Sequence, residues 1–310
     1  MIGLTYLLLT LGMLFFGISF IASKYALMIF EPVSIILFRA IIASGLLVFT
    51  ARRRGARLKL EKREVPLFLL LAFFQPFAYF LGETYGLKLI SASAASIIIA
   101  TIPVFTPFAT APLLGERLSF RAFMGLILSF AGVWFIVTTG VEDPGSVGIL
   151  GPDFSLTGLV LMFIAVFAAV GYSVVVKKID LNRSPLVIVT WQHILGSIML
   201  VPVFLVSDLP GLLSQGHPLW KAEPEVLLPA LGSLIFLALF ASTLAFLFYS
   251  NGIRKLGAGK ANVFTNTVPI FTAITAFLLL GEQFPPDKLL GMALVIGGVS
   301  ISQGRAPVLR

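Results

Sequence analysis

The side chains best placed to do chemistry in this chain are polar or charged ones set inside long apolar runs, because burying them there is costly unless they meet a partner or a wet cavity. Arg39 lies about two helical turns inside such a run. Its guanidinium suits carboxylate recognition, and pairing with Glu31 or Glu83 is the structural alternative. Gln75, Tyr79 and Glu83 recur at i, i+4 and i+8, which places them on one helical face. Trp191, Gln192 and His193 are consecutive in a later run. Trp191 can stack an aromatic or cationic ligand or simply fill core, and His193 can titrate near neutrality or serve as a hydrogen-bonded structural group. Ser242 and Thr243 sit in another run, and Asn262, Thr265 and Asn266 precede Pro269 in the next. Interhelical hydrogen bonding and cavity lining are both open to these hydroxyls and amides.

Most catalytic chemistries lack their residues. There is no HExxH, no GxSxG, no phosphate-cradling glycine loop and no carboxylate pair at glycosidase spacing. Cysteine is absent and only His193 and His217 are histidines, so neither a catalytic group nor a metal site is expected, and no cofactor. An intramembrane enzyme or a channel stands as the competing class. Phosphate recognition would need several convergent cations, yet Arg39 is the only deep one, with Lys24, Lys88 and Lys260 near the edges. The formal charge of +8 is carried between apolar runs, without the basic helix or aromatic interleaving that nucleic acid would require.

The elements that position these residues are transmembrane helices. With 58% hydrophobic and 12% charged residues the chain cannot clothe its apolar segments in water, so a lipid bilayer is its expected surrounding. Ten spans can be laid out, over 3–22, 32–51, 65–82, 92–114, 120–139, 155–176, 185–206, 226–249, 259–281 and 287–304. A cleaved signal peptide is not expected, since no basic stretch precedes Leu4. Placing the N-terminus in the cytoplasm puts seventeen Lys and Arg in inside segments and only Lys24, Lys88, Lys221 and Lys288 outside. That bias predicts both termini and the 52–64 loop to be cytoplasmic, in a bacterial cytoplasmic (inner) membrane.

A long segment occurs twice. An ungapped offset of 166 aligns 86–133 with 252–299, with 15 identities in 48 positions, among them Thr101 with Thr267, Pro103 with Pro269 and Glu116 with Glu282. A weaker offset of 153 matches Lys24 to Lys177, Pro32 to Pro185, Phe38 to Trp191 and Arg39 to Gln192. Five spans per unit is odd, so the second unit enters the membrane from the opposite side. The expected architecture is all-α, two inverted five-helix repeats around a central cavity, covering 1–144 and 145–310, with the Gly, Pro and acid-rich stretch 140–154 as the seam.

Within that frame Pro103 and Pro269, each about halfway along a span, read as paired hinges or as static bends. Gly125, Gly132, Gly291 and Gly298 read as close helix contacts, within a scaffold or across a dimer; a monomer is expected, with a homodimer open. Glu116 and Glu282, at the ends of apolar runs, read as helix-capping carboxylates ahead of a proton-coupling role.

The run LFFGISFIASKYAL from Leu14, Glu31–Pro32 with Arg39 beyond, the Tyr85–Arg117 block with its second copy, and the glycine-rich Gly125–Gly140 helix together resemble the EamA-domain permeases of the drug/metabolite transporter superfamily. The resemblance spans essentially the whole chain. Phe16–Gly17 stands where that family commonly has Trp-Gly. It implies a ten-helix secondary transporter, not an enzyme, exporting small metabolites by alternating access, with amino acids the leading substrate and nucleobases or cationic drugs the alternative. Substrate contacts are expected at Gln75, Tyr79, Trp191, His193, Ser242, Asn262, Thr265 and Asn266, with charge recognition or proton coupling at Arg39, Glu83 and His193.

Overall fold

The computed structural model of the protein describes residues 2–114, 120–139, 155–179, 183–214, 216–256 and 264–302. Asn262, Glu116, Lys260 and the 140–154 seam therefore lie outside the described residues. The described chain is helical throughout, without strands. Its elements are α1 (Ile2–Ala26), α2 (Pro32–Arg53), α3 (Val65–Ala72), a first π turn (Phe73–Ala78), α4 (Tyr79–Leu89), α5 (Ala92–Ile99), α6 (Ile102–Leu114) and α7 (Phe120–Thr139). There follow α8 (Leu156–Lys178), α9 (Pro185–Ser207), the short α10 (Leu209–Leu212) and α11 (Pro218–Lys221), and α12 (Pro224–Phe236). A second π turn (Leu237–Ala245), α13 (Phe246–Leu256), α14 (Val268–Leu280) and α15 (Pro286–Ser302) complete the series.

Local sequence sets the helix ends. Pro32 and Pro185 occupy the first helical positions of α2 and α9, where a missing N–H costs nothing. Ser91, Ser155 and Ser184 cap α5, α8 and α9 through their hydroxyls. Gly281, at φ 66°, ends α14 in the left-handed conformation. Among the described residues seven helices are long and apolar enough to cross a membrane. Three shorter apolar helices, Phe123–Phe135, Val268–Leu280 and Leu289–Ser302, fall in the expected fifth, ninth and tenth spans. Large apolar side chains such as Phe120, Trp134 and Val206 point outward, while Arg39, Glu83 and Gln192 point inward. This inverts the distribution of a water-soluble domain and is what lipid selects.

Helix packing is reciprocal about the two sequence offsets. Added Cβ atoms at Gly125 and Gly298 would lie 2.5 Å from the Gly298 carbonyl and 2.7 Å from the Gly125 carbonyl, and one at Gly132 would meet the Gly291 carbonyl at 2.9 Å. Since 166 relates Gly125 to Gly291 and Gly132 to Gly298, each glycine lies on the counterpart of the other. Gly86 presses on Met162 while its counterpart Gly252 presses on Leu9, and Leu9 and Met162 are themselves 153 apart. The glycine faces are thus used within the chain, α7 against α15.

Four stretches interrupt their helices, in two corresponding pairs. The π turns at 73–78 and 237–245 nearly coincide under the 166 offset, and the first includes Gln75 in extended conformation. The breaks at 100–101 and 266–267 coincide under it. At each of these the threonine hydroxyl donates to the carbonyl three residues back, Thr101 to Ile98 and Thr267 to Phe264, both at 2.6 Å. Pro103 and Pro269 consequently sit in the first turn of α6 and α14, where no intrahelical donor is lost. The expected ring clash in mid-helix is absent at both positions; one helix ends and another starts there.

Candidate functional site

Irregular backbone at membrane depth is tolerated where it is covered by protein or lines a cavity, so the four interruptions mark where polar groups can be placed. Arg39 projects from the middle of α2 and is 3% exposed. Its Nε donates to Ser242 Oγ of the second π turn at 2.9 Å, and its guanidinium carbon lies 3.9 Å from the centre of the Phe80 ring. One residue from Phe80, at the start of α4, the Tyr79 hydroxyl donates to Glu83 Oε1 at 3.0 Å. Tyr79 and Glu83 are also buried, so the i, i+4 spacing has produced a real hydrogen bond on one face.

Arg39 and Glu83 belong to one electrostatic cluster but do not close an ion pair among the described residues. Each charge is held by a neutral partner instead, Arg39 by Ser242 and Glu83 by Tyr79. Glu31, the other candidate partner of Arg39, is bound to Lys88 at 2.7 Å. His193 of α9 completes the cluster. Its Nδ1 faces the Val189 carbonyl at 2.9 Å, and because a carbonyl only accepts, that nitrogen carries the proton. The opposite nitrogen, Nε2, is buried without a hydrogen-bond partner. Its ring packs edge-on against Phe246, 5.8 Å between centres. The neighbouring Gln192 accepts from the Tyr172 hydroxyl at 3.1 Å, and its amide nitrogen is likewise buried and unpartnered.

The other expected contacts lie elsewhere. Trp191 points to the opposite side of α9 from this centre: its ring nitrogen donates to the Leu58 carbonyl at 2.9 Å, and the ring packs beside Phe68, Val175 and Ile179. There it braces the 54–64 loop, and the geometry offers no stacking surface toward Arg39. Gln75 is buried at the extended residue of the first π turn, one turn before Tyr79. Asn266 sits at the 266–267 break with its amide 3.5 Å from Ser300 Oγ of α15, and Thr265 precedes it. The polar residues thus form a charged centre on α2, α4, α9 and the second π turn, and a separate amide site at the second helix break.

Sequence reasoning missed Phe80 and the contacts that close both ends of the bundle. At the end of α2 that carries the 54–64 loop, Arg183 grips Glu64 with two nitrogens, Nε to Oε1 at 2.9 Å and Nη2 to Oε2 at 2.6 Å, and Nη1 donates to the Lys59 carbonyl. The Arg183 hydrogen bonds, followed by one from the Glu61 backbone, hold the Glu64 carboxyl below the usual glutamate range. At the opposite end Asp208 accepts from the backbone and hydroxyl of Ser34 at 2.7 and 2.9 Å, and Glu282 accepts from the Ala92 backbone at 3.2 Å. Glu282 therefore caps a helix, as its position suggested, and the helix is α5 of the first half. Opposite charges on expected inside loops were the available signal for Glu64 and Arg183; nothing local marked Asp208 as the partner of α2.

A family model described as the EamA-like transporter family matches the chain twice, over residues 3–138 and 156–303. The chain is similar to the protein named uncharacterized transporter YyaM of Bacillus subtilis, 25% identical over 302 residues, which cover 96% of this chain and 93% of that one. An uncharacterized transporter of Archaeoglobus fulgidus is 28% identical over 302 residues, covering 97% and 98%. A probable terminal-alkyne amino-acid exporter of Streptantibioticus cattleyicolor is 26% identical over 267 residues, covering 86% and 82%. One solved crystal structure superposes with a TM-score of 0.64 at 16% identity, over 97% of this chain and 96% of that one, a likeness of fold.

Proposed function

This chain belongs to the EamA-like transporter family, and on that premise we propose that it exports small amphipathic metabolites, foremost amino acids, by alternating access. The observation that carries the reading is the charged centre: a buried arginine and a buried glutamate, each held by a neutral partner, inside a protein whose outer surface is apolar. Placing two such charges in lipid is expensive without a ligand to use them. Similarity to a probable amino-acid exporter points the same way.

The frame is ten spans in two inverted units, 1–144 and 145–310, with both termini and the 52–64 loop in the cytoplasm. Reciprocal contacts of Gly125 with Gly298, Gly132 with Gly291, and Gly86 and Gly252 with Met162 and Leu9 support the inversion. The helix breaks at 100–101 and 266–267, with Pro103 and Pro269 just beyond them, are the paired bending points. Arg183–Glu64 closes the cytoplasmic end and Asp208–Ser34 the outer one, so that opening either end means parting one set while the other holds.

Purified protein in proteoliposomes, loaded with competing amino acids, nucleobases, sugar phosphates and quaternary cations, tests this directly. Saturable amino-acid flux is expected. Saturable flux of phosphate esters with none of amino acids would overturn the assignment.

A further inference from the structure

The charged centre has open hydrogen-bonding capacity of both signs. Arg39 spends only Nε inside the protein; among the described residues its two terminal nitrogens have no partner. Glu83 spends Oε1 on Tyr79, and its second oxygen has no partner among the described residues. Buried, opposite charges in one cluster ordinarily collapse onto each other, since the pair recovers part of the desolvation cost of both. Here Ser242 and the face of Phe80 fix the guanidinium, and Tyr79 fixes the carboxylate, short of contact. A gap between a fixed cation and a fixed anion is filled best by a molecule that carries both charges a few bonds apart.

Resting on the amino-acid reading above, we infer that Arg39 and Glu83 form a zwitterion clamp, in which the free fork of Arg39 takes the substrate's carboxylate and Glu83, aimed by Tyr79, takes its ammonium. A planar two-nitrogen fork matches a carboxylate bidentately, which a lysine in the same place would not do. His193 adds a neutral acceptor, because its buried Nε2 is bare with Nδ1 committed to Val189, and it offers the ammonium a second lone pair. The Phe246 and Phe80 rings supply apolar walls for a side chain. The clamp plus a zwitterion has no net charge, so the loaded carrier moves no charge across the membrane. It discriminates against any analogue lacking one end, because that analogue leaves Arg39 or Glu83 buried and unpaired.

The test uses reconstituted full-length protein and three probes of one size: phenylalanine, its decarboxylated amine phenethylamine, and its deaminated acid 3-phenylpropionate, with leucine as a second zwitterion. Wild type is expected to exchange the amino acids about 100-fold faster than either singly charged analogue, at a rate unchanged by an imposed potassium diffusion potential. Glu83→Gln should erase the preference over the acid while keeping that over the amine, and Arg39→Gln should do the reverse. A single variant leaves one buried charge alone, so the Arg39→Gln/Glu83→Gln double variant guards against misfolding; it should remain monodisperse and show no preference among the three. Wild type that carries the amine or the acid as fast as phenylalanine overturns the clamp and leaves the exporter reading standing. So does amino-acid flux whose discrimination survives in the double variant. Absence of any amino-acid flux from folded protein, with flux of another class, overturns the exporter reading and the clamp with it.

Discussion

Where α7 meets α15 in a glycine seam, Gly125 lies on Gly298 and Gly132 on Gly291, and each contact repeats under the 166 offset. Where α2 meets α4, α9 and the second π turn, the correspondence fails: the offset partner of Arg39 is Gln192, and those of Tyr79 and Glu83 are Ala245 and Tyr249. The two regions answer to different constraints. At the seam the requirement is close approach of backbones, which any pair of small residues meets, and it is the same for both halves. On the clamp proposed above, the requirement at the centre is to hold one ligand that is not itself two-fold symmetric, so identical chemistry on both sides would present two cations or two anions to it. The repeated positions form the packing contacts, and the positions that differ between the copies carry the charge.

The centre should be the more sensitive region to a single change. Glu83→Leu removes the acceptor of the buried Tyr79 hydroxyl and leaves the Arg39 guanidinium without a nearby countercharge, and a loss of about 3 kcal/mol is expected. Adding Arg39→Met should recover most of it, because neither desolvated charge then remains, although transport stays lost. Denaturant unfolding of the detergent-solubilised variants measures both. A double variant no more stable than the single one would mean that the charges are a structural fixture and that the contrast with the seam is false.

At the seam, Gly298→Val and Gly132→Val, which the 166 offset relates, should each cost about 1–3 kcal/mol, since the new side chain drives into the opposing backbone. The sharper expectation is equality: reciprocal contacts make the two losses match, with substrate preference unaffected in the protein that folds. Two melting curves in the same detergent decide it. Strongly unequal shifts would break the symmetry argument for this contact.

The seam was far easier to read from sequence than the centre. Glycines at seven-residue spacing, repeated at a fixed offset, announce close packing whatever they pack against. The paired interruptions near Pro103 and Pro269 were legible for the same reason, although proline alone could not say that each begins a helix and does not bend one. At the centre, helical spacing put Tyr79 and Glu83 together, and depth singled out Arg39, but the choice of Ser242 over Glu83 as the arginine's partner depends on how the second π turn rotates its residues. Trp191 illustrates the limit. Its kinship with Phe38 and its neighbours Gln192 and His193 pointed inward, yet successive residues on a helix differ by about 100° in direction. His193 and Gln192 reach the interior, and the ring of Trp191 goes to Leu58.

The smallest expected effect concerns the ends of the bundle, where the Arg183–Glu64 latch is partly solvent-exposed and its energetic value is below about 1 kcal/mol. Its pH response is nevertheless defined. A carboxyl held below its ordinary value contributes its full share of stability above that value and loses it only as pH falls through the lower, folded-state one. Because Arg183 holds Glu64 in this way, the latch should stay closed from neutral pH down past the ordinary glutamate value of 4.5 and loosen only below it. Cysteines placed at Ala56 and Lys178 of this cysteine-free chain give the readout by spin-label distances. The distribution is expected to hold across pH 8 to 5 and to broaden below, whereas Glu64→Gln should show the broad distribution at every pH. Trp191→Phe, which removes the bond to Leu58 and leaves a smaller aromatic ring in its place, should broaden it less. If wild type broadens already between pH 7 and 6, a group other than Glu64 controls that end, and the latch cannot be the contact that parts when the carrier opens inward.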